Sequence, residues 1–348
     1  MRTGRPGSGT IAGVFPSSPR DSDAWDDDVS REIARSAPGR SSSGFYAGAP
    51  EKDPGPPRRE MPEDEEIDEE IPVAPVRREL SVAIAGFAAL LGIGLILGAQ
   101  TSGPDARLPY AIVIFGVQLL YVLAFTMAIR PPAAGIVAGV CAVAAGVADR
   151  LAVTTEPVSL LPLLYVTAGA LAAALAGQAI RAQDRSRLRD GLGGTFLIVL
   201  GVVSFALLIV LTREPVGTQA ILVCLTAVGV ALLVAHLTDA FWPKPRIAAQ
   251  VPRGAAGIVL GAMLGTLAAA GLGSVLVLPF TPAKGALLGF AAAGIAGLVD
   301  LAVNYSEAGR SMAGDAPTFW VARHMQGPLG AFSLTLPATY ALTMLFLA

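Results

Sequence analysis

Nine apolar stretches occupy most of residues 79–348, and each is close to the length that crosses a bilayer. A helix needs about 20 mainly apolar residues to span the hydrocarbon core. The stretches cover residues 80–99, 108–129, 132–148, 157–180, 192–212, 217–238, 255–279, 284–304 and 328–347. The third is short and is expected to extend past Asp149, and only "FTPAK" separates the seventh from the eighth. The sequence therefore predicts an all-α polytopic membrane protein with about nine transmembrane helices.

Residues 1–78 have a very different composition. They hold 11 of the 25 basic and 16 of the 27 acidic residues, although only 15% of the whole chain is charged. A segment rich in Gly, Pro, Ser, Arg and Asp cannot bury enough apolar surface to offset its backbone entropy. We therefore predict a disordered acidic tail over 1–78 and a helical membrane domain over 79–348. No apolar signal-peptide core lies near Met1.

One part of the tail is strongly acidic. The run from Glu60 to Glu70 has eight acids in eleven positions. We interpret it as a solvated spacer whose charges repel one another, and a docking motif for a basic protein partner is the alternative.

The loop arginines and lysines predict the orientation of the helices. If the tail is cytoplasmic, twelve basic residues lie at inner sites and four at outer sites, and loss of one helix would spoil this alternation. We therefore expect a cytoplasmic N-terminus and an outer C-terminus. The arginine-rich loop "RAQDRSRLRD" is explained by this topology, and binding of anionic lipid headgroups is the alternative. Heavy use of Arg, Ala, Gly and Val suggests a bacterial genome rich in GC, and thus the plasma membrane.

Small residues recur at four-residue spacing in several spans. "GIVLGAMLG" places three glycines on one helix face, and similar pairs occur at Gly135 and Gly139 and at Gly285 and Gly289. Such faces let two helix backbones approach closely in a membrane. We favour packing within one chain, with a homodimer interface as the alternative.

Several ionisable side chains reach the cytoplasmic surface in the predicted topology. Such groups in or beside a membrane span are costly, so each is a candidate for function. Three carboxylates and two imidazoles there could hold a hard divalent cation and a phosphate-bearing ligand. No HExxH, P-loop, GxGxxG or CxxC spacing supports this, and interfacial residues facing headgroups and water are the alternative. The set comprises His236, Asp239, Asp300, Asp315 and His324.

Two stretches after the sixth span carry family-like motifs. "LTDAFW" is similar to a Ser-Asp-(Thr/Ser)-Gly-Ala-Tyr stretch and keeps Asp239. "AAQVPRGAAG" is similar to a Ser-Pro-Lys-Lys-(Thr/Ser)-x-Glu-Gly loop and keeps Pro252, Arg253 and Gly257. Both motifs occur, in this order, in the phosphatidate cytidylyltransferase family, which makes CDP-diacylglycerol from phosphatidate and CTP.

Two later stretches extend the resemblance to that family. "GLVDLAVNYSEAGRSMAGD" is similar to its Gly-Asp-Leu-x-x-Ser-x-x-Lys-Arg-x4-Lys-Asp segment and keeps Asp300, Leu301 and Asp315. "HMQGPLGAFS" stands where the family has His-Gly-Gly-x-x-Asp-Arg-x-Asp-Ser and keeps His324. The family has cytoplasmic catalytic loops and requires a divalent metal, so the resemblance places the site in residues 236–340.

Many charged residues of the family motifs are missing. The Pro-Lys-Lys loop lacks its second basic residue and its glutamate, and Glu307 and Ala308 replace the Lys-Arg pair. Gly314 stands where a lysine precedes Asp315, and "GAF" at 330–332 replaces the closing Asp-Arg-x-Asp. Those acids and cations would hold the metal and the triphosphate, so their loss predicts lost catalysis.

We therefore expect a non-catalytic or strongly divergent relative with a lipid-handling or scaffold role. The alternatives are a small-molecule transporter and an active nucleotidyltransferase with an altered metal site. If it is active, the resemblance implies Asp239, Asp300 and His324 as catalytic residues, and Arg253 as a phosphate contact. It implies Asp239, Asp300 and Asp315 as Mg²⁺ ligands. We expect membrane lipids as partners and no nucleic acid.

Overall fold

The computed structural model describes residues 73–103, 107–181 and 185–347. Within these ranges the backbone forms nine α-helices, all of them long and apolar enough to cross a bilayer. This confirms the predicted polytopic helical fold. The helices are α1 (Arg78–Thr101), α2 (Arg107–Ile129), α3 (Ala134–Thr154), α4 (Leu161–Arg181), α5 (Arg185–Leu211), α6 (Gly217–Phe241), α7 (Ala255–Val275), α8 (Pro282–Met312) and α9 (Trp320–Phe346).

The helix boundaries agree with the hydropathy pattern at most positions. α3 continues past Asp149, as expected, and the seventh and eighth spans are separate helices with a break at 276–281. The tail predicted over 1–78 lies outside the described residues, except for 73–78. Asp68–Ala348, to which the described residues belong, forms one compact unit.

The connection between the last two helices is shorter than predicted. α8 has 31 residues, so it is about 46 Å long and extends beyond a hydrocarbon core of about 30 Å. Gly314, at φ 76°, follows its end with a left-handed backbone. The predicted spans 284–304 and 328–347 place Arg323 and His324 in the loop between them. This expectation is wrong, because α9 begins at Trp320 and both residues lie in a helix. Hydropathy placed the start of the ninth span at Pro328, because polar residues precede it. The helix begins earlier, since backbone hydrogen bonding does not depend on side-chain polarity.

Helix α6 is the centre of one group of helices and packs against α1, α7 and α8. The glycines of α7 make the contact with α6 close. A Cβ at Gly261 would overlap the carbonyl oxygen of Ala231, and one at Gly265 would lie 2.6 Å from that of Ala227. Glycine permits this approach of two backbones. This glycine face of α7 is therefore used for packing within the chain.

A second group of helices surrounds α3, which packs against α2, α4 and α5. α9 contacts α2 and α5 of this group as well as α1, α6 and α8 of the first. Its Phe332 is fully buried, and a Cβ at Gly92 of α1 would lie 3.1 Å from that ring. α9 therefore connects the two groups through a tightly packed core.

Candidate functional site: a buried arginine–carboxylate cluster

Helix α6 carries two predicted site residues on one buried face. His236 and Asp239 are three residues apart, and the helix persists to Phe241, so both side chains project from the same side. His236 is 2% exposed and Asp239 is 0% exposed. Neither side chain therefore faces headgroups or water.

The loop 242–254 brings an arginine to this face. Its ends are held together by two backbone hydrogen bonds, from the N–H of Ile247 to the carbonyl of Arg253 (3.1 Å) and from the N–H of Ala255 to the carbonyl of Pro245 (2.9 Å). Arg253 is 2% exposed and is the largest fully buried side chain among the described residues. The 242–254 loop therefore directs the guanidinium of Arg253 into the protein interior.

The guanidinium of Arg253 joins two helices. Its Nη1 lies 2.5 Å from Asp239 Oδ2 on α6 and 3.0 Å from His236 Nδ1. Its Nη2 lies 2.9 Å from Oδ2 of Asp300 on α8, an ion pair that lacks hydrogen-bond geometry. We call His236, Asp239, Arg253 and Asp300 the Arg253 cluster. Residues from α6, α8 and the loop thus meet at one cation.

The hydrogen bonds assign the tautomer of His236. A guanidinium can only donate, so His236 Nδ1 accepts from Arg253. The ring proton then lies on Nε2, which donates to Asp300 Oδ1 over 3.1 Å. With a neutral imidazole, one guanidinium and two carboxylates, the Arg253 cluster has a formal charge of about −1.

Backbone and glycine contacts enclose the Arg253 cluster. Gly254, the N-cap residue of α7, donates its N–H to Asp239 Oδ1 over 3.0 Å, so this carboxylate lies at the positive end of the helix dipole. A Cβ at Gly257 would lie 2.5 Å from the same oxygen. A Cβ at Gly327 of α9 would lie 2.6 Å from Asp300 Oδ1. Only glycine leaves room for the carboxylates at these positions.

The other two predicted site residues do not join the Arg253 cluster in the part of the chain that the structure describes. Asp315 is exposed after the end of α8. His324 is partly buried in α9, with its Nδ1 3.0 Å from the carbonyl oxygen of Trp320 and its ring edge-on to Phe87. Within the described residues, neither side chain forms a hydrogen bond or ion pair with the Arg253 cluster.

The residues present do not fit the Mg²⁺ site that the resemblance implies. Asp239 and Asp300 are near each other, but the guanidinium of Arg253 pairs with both of them, and Asp315 does not join them. In the described part of the chain, no group of three or more His, Cys, Asp or Glu side chains is arranged to hold a metal ion. A divalent cation would therefore have to displace Arg253 before it could use these carboxylates.

A second ionic contact lies where the resemblance expects the Lys-Arg pair. Arg310 forms an ion pair with Glu307 one turn earlier on α8. It also donates to the carbonyl oxygen of Ala128 on α2 (2.6 Å) and to Thr318 Oγ1 (3.1 Å), which in turn donates to Glu307 Oε2. The cation nearest this motif therefore ties α8, α2 and the α8–α9 connection together.

Sequence reasoning did not select Asp149 as a site residue. This side chain is 5% exposed within α3, and its Oδ1 accepts a hydrogen bond from Gln118 Nε2 on α2 over 3.0 Å. The helical spacing could have indicated its burial. Asp149 shares one helix face with Ala145, Ala148 and Ala152, and this face is buried.

No protein-family model matches the chain, no curated protein is significantly similar to it, and no solved structure is either. The relationship to phosphatidate cytidylyltransferases therefore stays a prediction from the sequence motifs.

Proposed function

We propose that this multi-pass membrane protein is a non-catalytic, divergent relative of the phosphatidate cytidylyltransferases. In this proposal the Arg253 cluster fastens the 242–254 loop to the helix bundle, and the protein has a lipid-handling or scaffold role. The observation that carries the proposal is the pairing of Arg253 with both Asp239 and Asp300 inside the protein.

The chemistry of nucleotidyl transfer supports this interpretation. The reaction needs carboxylates free to hold a divalent cation, and free cations to neutralise a triphosphate. In the Arg253 cluster both acids are paired with the same cation, so neither carboxylate is free to hold a metal and Arg253 is not free to contact a triphosphate. All four residues are at most 2% exposed, so within the described part of the chain the cluster has no open face for a nucleotide.

The exposed side chains at the start of the same loop support contact with lipid. Phe241 and Trp242 are 64% and 70% exposed, and Lys244 beside them is exposed too. Aromatic and basic side chains of this kind lie at the headgroup level of membranes, where they meet anionic lipids. The buried Arg253 fastens the same loop to the helix bundle, so these exposed residues are held in place at the protein surface.

A labelled-CTP assay tests the loss of catalysis. Membranes that overproduce the chain, supplied with phosphatidate and Mg²⁺, are expected to form no more CDP-diacylglycerol than vector membranes. Membranes containing an active cytidylyltransferase are the positive control. Product that depends on the chain and is lost with Asp239→Ala would overturn the proposal in favour of an active enzyme.

A second arm of the experiment tests the lipid contact. A photoactivatable phosphatidate in the same membranes should crosslink to the 242–254 loop, and Lys244→Gln should reduce this crosslinking several-fold. Lys284→Gln is the matched control, because it makes the same charge change next to the start of α8, on the predicted outer side. Equal crosslinking of both variants would contradict a lipid-handling role for the loop.

A further inference from the structure

Asp149 is a carboxyl group inside a membrane-spanning helix. It lies five residues before the end of α3, about 7.5 Å along the helix axis, and is 5% exposed. Ionisable groups in such positions are costly and are commonly functional. The proposed function does not use this residue.

The hydrogen bonds that the described residues form around Asp149 leave two oxygen atoms without partners. Gln118 Nε2 donates to Asp149 Oδ1 (3.0 Å) and to the carbonyl oxygen of Val202 on α5 (3.1 Å), so both amide hydrogens are used. Gln118 is 0% exposed, and its Oε1 has no hydrogen-bond partner among the described residues. Within the same part of the chain, Asp149 Oδ2 also lacks a partner. Two buried acceptors, one on each side chain of a bonded pair, therefore lack a donor.

The surroundings of Asp149 supply no counter-ion among the described residues. Arg213, which follows α5, donates to the backbone carbonyl oxygens of Ala152 and Thr155 at the end of α3. The charge of Arg213 is paired with Glu156. From the helices packed on α3, Tyr121 of α2 donates its hydroxyl to a backbone carbonyl, and Tyr165 of α4 is exposed. An ionised Asp149 would therefore be a buried charge with one neutral hydrogen-bond donor.

We propose that Asp149 and Gln118 form a proton-binding site within the helix bundle, in which Asp149 is a neutral carboxylic acid. One proton on Oδ2 removes the uncompensated charge and turns that oxygen into a donor. Gln118 is already bonded to Asp149 through Nε2, so the new O–H on Asp149 is a candidate donor to Gln118 Oε1. A single proton can therefore satisfy both unpartnered oxygens. Gln118 acts as the positioning residue, because Val202 fixes the orientation of its amide.

Infrared difference spectroscopy on the full chain in liposomes tests this site. The wild-type protein at neutral pH should show the carbonyl stretch of a protonated carboxyl group, and Asp149→Asn should abolish it. Gln118→Leu should keep this band but shift it toward the position of an acid without hydrogen bonds. A merely structural role for Gln118 would not move the band. Absence of an Asp149-dependent band would overturn the proposal.

Sodium and a chemical probe complete the test. Added Na⁺ should leave the band unchanged, and its disappearance with Na⁺ would show a metal-cation site instead. If Asp149→Asn does not fold, dicyclohexylcarbodiimide replaces it as a probe. The acid O–H adds across a C=N bond of the reagent to give an acylisourea, which rearranges to a stable N-acylurea with all atoms retained. Wild-type protein with neither the band nor this label at Asp149 would also overturn the proposal.

Discussion

Arg253 is one buried cation shared by two buried acids. Such an arrangement is weak support for stability when it is intact, because desolvation opposes the attraction between the charges. Loss of one partner is different, since it leaves an uncompensated charge in the interior. With neutral His236, removal of the guanidinium would leave Asp239 and Asp300 as two like charges in one closed space.

Arg253→Met should therefore destabilise the protein by about 3–5 kcal/mol. Thermal unfolding of the purified protein in detergent would measure this. Arg150→Met is the matched control, because Arg150 is exposed on α3 and its loss should change stability by less than about 0.5 kcal/mol. Adding Asp239→Asn and Asp300→Asn to Arg253→Met should recover part of the stability, and no recovery would contradict the role given to charge.

At the scale of helices, the glycine face of α7 sets how closely it approaches α6. Helix association in lipid depends on packing and hydrogen bonds, because the acyl chains are as apolar as the side chains. At Gly257 the close approach also shapes the site, since the nearest atoms are Asp239 Oδ1 and the carbonyl oxygen of Ala235. Helix packing and the Arg253 cluster therefore depend on the same residue.

Gly257→Ala is expected to destabilise the protein by about 1–3 kcal/mol, as overpacking does in a closed core. Its Cβ would lie 2.5 Å from Asp239 Oδ1 and 2.7 Å from the carbonyl oxygen of Ala235. Gly271→Ala on the same helix is the control, because a Cβ there meets no atom within 4 Å. The measurement is again thermal unfolding in detergent, and equal effects of the two substitutions would show that the contact with α6 is not limiting.

At the scale of the whole molecule, an odd number of spans would place the two ends of the membrane domain on opposite sides. Nine candidate spans occur among the described residues. The positions of the basic residues predict that the chain enters α1 from the cytoplasm. The Arg253 cluster would then lie near the cytoplasmic surface, at the junction of α6 and α7.

Reporter fusions would check this topology. The reporter is a phosphatase that is active only outside the cytoplasm. Fused after Ala348, it should be active, because that end is predicted to lie on the outer side. The same reporter fused after Arg246, in the loop between α6 and α7, should be inactive because that site is predicted to be cytoplasmic. A cytoplasmic signal at Ala348 would contradict either the orientation or the number of spans that cross.

The sequence by itself determined the nine spans, because a bilayer selects apolar runs by local composition and length. It also predicted one surface for a larger set of ionisable residues, which comprises His236, Asp239, Arg253, Asp300, Asp315 and His324. Only the tertiary structure decided which of them meet. The pairing of Arg253 with both acids depends on how α6, α7 and α8 pack, and residues distant along the chain leave no local signal of that contact.

Two further outcomes have the same physical cause. His324 lies in α9 and, among the described residues, forms no hydrogen bond or ion pair with the Arg253 cluster, although the motif order had grouped it with Asp239 and Asp300. Asp149 falls just beyond the apolar run of its span, yet it is 5% exposed and bonded to Gln118 of α2, whose amide also bonds to Val202 of α5. Hydropathy reports the average solvent of a segment, whereas the environment of one side chain is set by the helices that pack around it.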